Sequence, residues 1–209
     1  MTLTKKLICM ITVFAAFMSL TACEMPMTVI GSIPEPRDTV ESFFDSVCAG
    51  DFAESDKYLS GVTISMKKQA EGEFAQKLYD YLIKSYRYKI NGQVTSELLD
   101  ADCKVDFTYL DFNALAGDLK TASTTLGKRY MSSELKEDYV EEKNGSYSLT
   151  DEGAEKVASE ALDILMENQE KYLSTRSFDI KLKYSQGKWL IDLPDELFYA
   201  ICGGFELSE

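Results

Sequence analysis

The chain contains no histidine. That absence removes the commonest general base near neutrality and the commonest metal ligand. It excludes Ser-His-Asp and Cys-His nucleophile arrangements and histidine zinc sites. Cysteine is scarce. Of five, Cys9 and Cys23 fall in the N-terminal segment, and the remaining three (Cys48, Cys103 and Cys202) cannot all pair within one chain. No Cys-x-x-Cys spacing occurs, so a thiolate zinc site is not indicated. Each of the three lies on an apolar stripe and reads as a buried thiol, with one disulfide plus a free thiol as the alternative. Positive charge is also in short supply: 22 Lys and Arg stand against 35 Asp and Glu, a net charge of −13. A body this acidic is repelled by phosphodiesters and by anionic headgroups, which argues against nucleic-acid partners. Hydrophobic residues make up 45% of the chain, an ordinary share for a globular protein.

The long apolar run is confined to the N-terminus. Lys5 and Lys6 precede an apolar stretch from Leu7 to Leu20, broken only by Thr12 and Ser19. The order of charge, apolar run and small residues is that of a secretory signal. The run is shorter than the roughly 20 residues that a membrane-spanning helix needs. It is apolar all round, unlike an amphipathic surface helix. It closes on Leu20-Thr21-Ala22-Cys23, which resembles the lipobox of bacterial lipoproteins. The resemblance implies cleavage between Ala22 and Cys23, a diacylglyceryl thioether on Cys23 and acylation of the new amino terminus. Two chains anchor firmly where one holds only marginally. The signal contains two lysines and no acid, so the mature body is more acidic still and would be held to the membrane by lipid alone.

Residues 24–36 contain Pro26, Pro34, Pro36, Gly31 and Ser32 and read as a tether, with an edge strand packed on the domain through the apolar Met27, Val29 and Ile30 as the alternative for part of it. Asp38-Thr39-Val40-Glu41 fits a capping box opening a helix with Val40, Phe43, Phe44 and Val47 on one face, ended by Gly50. Asp51 caps a second, short helix. Phe74, Leu78, Tyr81 and Leu82 mark a third helix, about 69–85. The runs 86–94 and 101–112 alternate and predict an antiparallel pair, with a bulge or early reversal at Asn91-Gly92. Residues 113–142 read as helical with a break near Gly127, followed by a loop at 143–148. Thr150 caps a helix reaching about Leu173. Phe178, Ile180, Leu182 and Tyr184 alternate with charged residues, turn at Gln186-Gly187 and return through Trp189 and Ile191. Asp195 to Ile201 fits a closing helix. The expected organisation is a signal peptide over 1–22, a lipidated cysteine and tether over 23–36, and a single α+β domain over 37–209 with a helical insertion at about 113–173.

Val40-Glu41-Ser42-Phe43-Phe44, Ala49-Gly50-Asp51-Phe52 and Gln186-Gly187-Lys188-Trp189-Leu190-Ile191-Asp192 together resemble the nuclear-transport-factor-2-like superfamily. Within it they are similar to lipoproteins of Gram-positive anaerobes. The resemblance implies a cystatin-like cone, a curved antiparallel sheet wrapped on N-terminal helices with a pocket at the wide end. The central helices depart from that plan.

Catalytic members of such a family use Asp, Tyr and sometimes His in the cone, and no residue here aligns with those positions. Tyr86, Tyr88, Tyr109, Tyr184 and Trp189 are candidates to line a pocket, or else to pack the core. Asp106 and Asp179 are candidates for a buried base of raised pKa, although each sits on the charged face of its strand. Asp100, Asp102 and Asp106 lack the spacing of a calcium loop. No catalytic, cofactor or metal residues are assigned. The expected function is a membrane-anchored extracytoplasmic lipoprotein whose body is a non-catalytic module binding a protein or a small apolar ligand. The alternative is a small cone-fold enzyme of the isomerase or dehydratase type using Asp or Tyr. A third reading is dimerisation through the sheet.

Overall fold

Alternation in four segments builds the main sheet of the computed structural model, which describes residues 33–64, 72–132, 137–143 and 145–204. Leu20, Thr21, Ala22, Cys23 and most of the expected tether lie outside the described residues. The elements lie in one compact unit beginning at Pro34. Strand β1 (Arg87–Glu97) pairs antiparallel with β2 (Asp100–Leu110), β2 with β5 (Leu173–Ser185), and β5 with β6 (Lys188–Asp192), in the order β1-β2-β5-β6. The β1–β2 register shifts between Asn91 and Thr95, the bulge expected at Asn91-Gly92. Period-2 alternation puts Cys103, Val105, Phe107 and Tyr109 of β2 on the inner face with Phe178, Ile180 and Leu182 of β5.

Helix α1 (Pro36–Cys48) covers that face with Val40, Phe43, Phe44 and Val47, all fully buried. Each side chain of this size contributes about 1.5–3 kcal/mol by leaving water. Phe44 stacks on Tyr88 at 5.1 Å between ring centroids. The expected capping box does not form. Pro36 occupies the first helical turn, where its missing N–H costs nothing, so the helix starts before Asp38. Helix α2 (Phe52–Ser55) is capped as expected, Asp51 accepting from the Glu54 amide at 3.0 Å.

Helix α3 (Glu73–Ser85) precedes β1, and α4 (Phe112–Ser132) follows β2. Helix α4 runs through Gly127 without a break, and residues 140–149 are a hairpin, β3 (Val140–Lys143) with β4 (Ser146–Leu149), where helix and loop were expected. Gly127 is buried beside Leu149, and a β-carbon there would sit 3.4 Å from Leu149 Cδ1, so the glycine marks a close approach of helix and hairpin. Thr150 caps α5 (Asp151–Met166) by accepting from the Gly153 amide. Asp163 of α5 accepts from Lys77 at 2.7 Å and Tyr81 at 3.1 Å, tying α3 to α5. Helix α6 (Asp195–Ile201) buries Leu197, Ala200 and Ile201. The fold is α+β: N-terminal helices on a curved four-stranded antiparallel sheet, with further central helices.

Candidate functional site

Strand β5 carries a residue that violates its own pattern. Arg176 has the inward parity of Phe178 and Ile180, and pairs in register with Phe107. A cation at an inward position needs an opening, and one is there. A cleft of about 710 Å³ is lined by Tyr109, Asp111, Asn113, Arg176, Glu196, Tyr199, Ala200 and Gly204.

Its walls follow from local chemistry. Tyr109 ends the inner row of β2 and stacks on Phe107, 6.2 Å away and 15° from parallel. Asp111 caps α4, accepting from the Asn113 amide at 3.0 Å. The Asn113 side chain donates to the Gly204 carbonyl at 2.8 Å, and the Phe112 amide to the Gly203 carbonyl at 2.9 Å. These bonds clip the end of α6 onto the start of α4. Gly203 has φ +76, and a β-carbon there would lie 2.5 Å from the Phe112 ring, so only glycine fits. Glu196 and Tyr199 project from α6 into the cleft. The side chains of Arg176 and Glu196 make no hydrogen bond or ion pair among the described residues, and the Asp111 carboxylate accepts from backbone amides. Among the described residues the cleft therefore presents one guanidinium without an ion pair, two carboxylates, an amide and two phenols.

Of the five aromatic candidates, Tyr109 lines this cleft. Tyr86 is buried and donates to the Ile201 carbonyl; burial pushes its phenol well up. Tyr88 donates to Asp45 at 2.7 Å, and burial followed by that bond raises its pKa. Tyr184 meets Trp189 edge-on at 5.3 Å, and the Trp189 indole donates to the Pro34 carbonyl at 2.7 Å. These four occupy packing positions elsewhere in the fold.

The outer face of the sheet is a polar ladder. Asp106 accepts from Ser177, and hydrogen bonds from Asn91 and Ser177 hold its carboxyl below the usual range. That is the opposite of the raised pKa a base needs. Asp179 is 79% exposed and faces Lys104 at 3.4 Å. Thr95 donates to Asp102 at 2.8 Å. Among the described residues no three acidic, cysteine or histidine side chains gather where they would hold a metal ion. Cys48, Cys103 and Cys202 are free thiols. No helix among the described residues is long and apolar enough to cross a membrane.

Asp111, Asn113, Arg176, Glu196 and Gly204 were not singled out by the sequence. The available signal is the parity of Arg176, two residues before the alternating run that opens at Phe178.

No family model and no curated protein matches the chain. A solved structure similar to it is that of YcdA from Bacillus subtilis, described as a candidate lipoprotein, at 18% identity and a TM-score of 0.36. The likeness covers 78% of this chain and 46% of that one, so the chain spans about half the length of that protein. A likeness this loose carries no argument about fold or activity.

Proposed function

We propose that the protein is an extracytoplasmic lipoprotein, anchored through lipid on Cys23, whose folded body is a non-catalytic binding module. The anchoring half is supported by the leader: Lys5-Lys6, the Leu7-to-Leu20 run and Leu20-Thr21-Ala22-Cys23 stand in the required order. The cone-type relationship to the nuclear-transport-factor-2-like superfamily belongs to this reading; the Gly50-Asp51 junction and the Gly187-to-Trp189 hairpin support it.

The observation that carries the binding half is Arg176, a guanidinium with no ion pair among the described residues, on the inward face of β5 within a cleft of about 710 Å³. Guanidinium recognises carboxylate in a planar, two-pronged geometry. Asp111 and Glu196 in the same cleft suit an ammonium. A zwitterionic ligand such as a short peptide matches this lining better than an apolar molecule does. The enzymatic alternative is the weaker reading, because Asp111 is engaged by helix amides and Asp106 has a lowered pKa. Native mass spectrometry of the protein purified from its own cells tests the binding reading. A retained small molecule that is lost in Arg176→Ala is the expected result. Retention unchanged by that substitution, or no retained species together with no binding of a peptide library, would overturn it.

A further inference from the structure

The β1–β2 turn runs against the surface chemistry around it. Leu98 is 93% exposed and Leu99 is 53% exposed. Leu98 also has φ 56, the left-handed region that bulky residues rarely adopt. Two-residue hairpin turns favour Asn, Asp and Gly for that reason. Solvation and backbone conformation both disfavour leucine here, so the fold does not account for it. The turn is nevertheless held firmly. Glu97 pairs with Asp100, and the Leu99 carbonyl accepts from the Tyr184 amide at 2.7 Å.

Its position in the molecule is the second observation. Tyr184 packs on Trp189, and Trp189 donates to the carbonyl of Pro34. The leucine turn and the residue through which the chain runs back to Cys23 therefore share one end of the sheet. The cleft lies at the other end. Tyr109 is nine residues along β2 from Asp100, roughly 30 Å at strand rise. The chain from Cys23 to Pro34 reaches at most about 40 Å when fully extended.

We propose that the Leu98-Leu99 turn inserts into the apolar margin of the lipid bilayer and orients the anchored body with its cleft directed away from the membrane. The proposal rests on the lipoprotein reading. A bilayer is the occupant that fits, because the route to the anchor and the turn lie at the same end and the intervening chain is short. The acidic body gains nothing from anionic headgroups, which leaves apolar insertion as the mode of contact. Two leucines bind a free protein weakly, but a tether converts their insertion into an intramolecular step at high effective concentration.

The test uses the mature chain in phosphatidylcholine vesicles carrying nitroxide-labelled lipid. Trp189, the single tryptophan, lies close to the turn and is the reporter. Quenching of its emission is expected, reduced about threefold or more in Leu98→Gly/Leu99→Asn. That variant puts glycine at the position of positive φ and a polar turn residue after it, and an unlowered melting temperature confirms that it folds. Equal quenching in both proteins, or none in the wild type, overturns the proposal. The mass of the chain establishes separately whether Cys23 is lipidated. If it is not, the lipoprotein reading fails, and flotation with the same vesicles decides the turn: several-fold more wild type than variant supports insertion, and equal partition overturns it. Unchanged quenching accompanied by loss of a co-purifying protein assigns the turn to a protein partner and equally overturns the bilayer.

Discussion

Trp189 shows at residue scale what this fold asks of a side chain. It is 2% exposed, bonded through its indole to Pro34 and packed on Tyr184. Trp189→Ala leaves a cavity and is expected to cost about 3–5 kcal/mol, whereas Trp189→Phe loses mainly one hydrogen bond, about 1 kcal/mol. Denaturant unfolding of both checks this, and equal losses would show that the ring is not packed. Burial pushes the thiols of Cys48 and Cys103 from 9.0 up to about 11, with Asp45 and Asp102 adding to the shift. The unfolded chain ionises these thiols at lower pH than the folded one. Their contribution to stability is thus fully present below about pH 9 and is lost as pH rises to about 11. The melting temperature should fall across that window, and less steeply in Cys48→Ala/Cys103→Ala. The buried thiols of Cys103 and Cys202 and the Trp189 ring were legible because apolar periodicity surrounds them, whereas Cys48, also expected to be buried, is half-buried. Arg176 was not, because its meaning lies in its parity against a strand whose start is set by pairing with β2.

At the scale of elements, glycine context separates two substitutions that propensity alone treats alike. A β-carbon at Gly117 of α4 meets nothing within 4 Å, so Gly117→Ala is expected to stabilise by about 1 kcal/mol. A β-carbon at Gly153 of α5 would lie 2.3 Å from the Tyr139 carbonyl oxygen, so Gly153→Ala is expected to destabilise by about 1–3 kcal/mol. Thermal unfolding of the pair checks the signs. The long strands were legible from alternation sustained over many residues in β2 and β5. Two boundaries were not. The start of α1 is set by Pro36, which competes with the Asp38 signal. The β3–β4 hairpin has only four residues per strand, too few for alternation to stand out from the charged run that enters it. Gly127 reads locally as a helix breaker and in the fold as a contact with Leu149.

At the scale of the whole molecule, two ends of one sheet carry different chemistry. One end holds Pro34, Trp189 and the exposed leucine turn; the other holds the Arg176 cleft. The α+β class followed from helices preceding and interrupting alternating runs, while the cleft arises from contacts between α4, β5 and α6 that sequence spacing does not encode. The function proposed for this arrangement depends on covalent attachment at Cys23. Metabolic labelling with a fatty acid, read together with the intact mass, tests that directly in wild type and Cys23→Ala. The account predicts a labelled chain beginning at Cys23 in the wild type and an unlabelled, uncleaved chain in the variant. An unlabelled wild-type chain that still carries residues 1–22, or equal labelling of the two proteins, would contradict it.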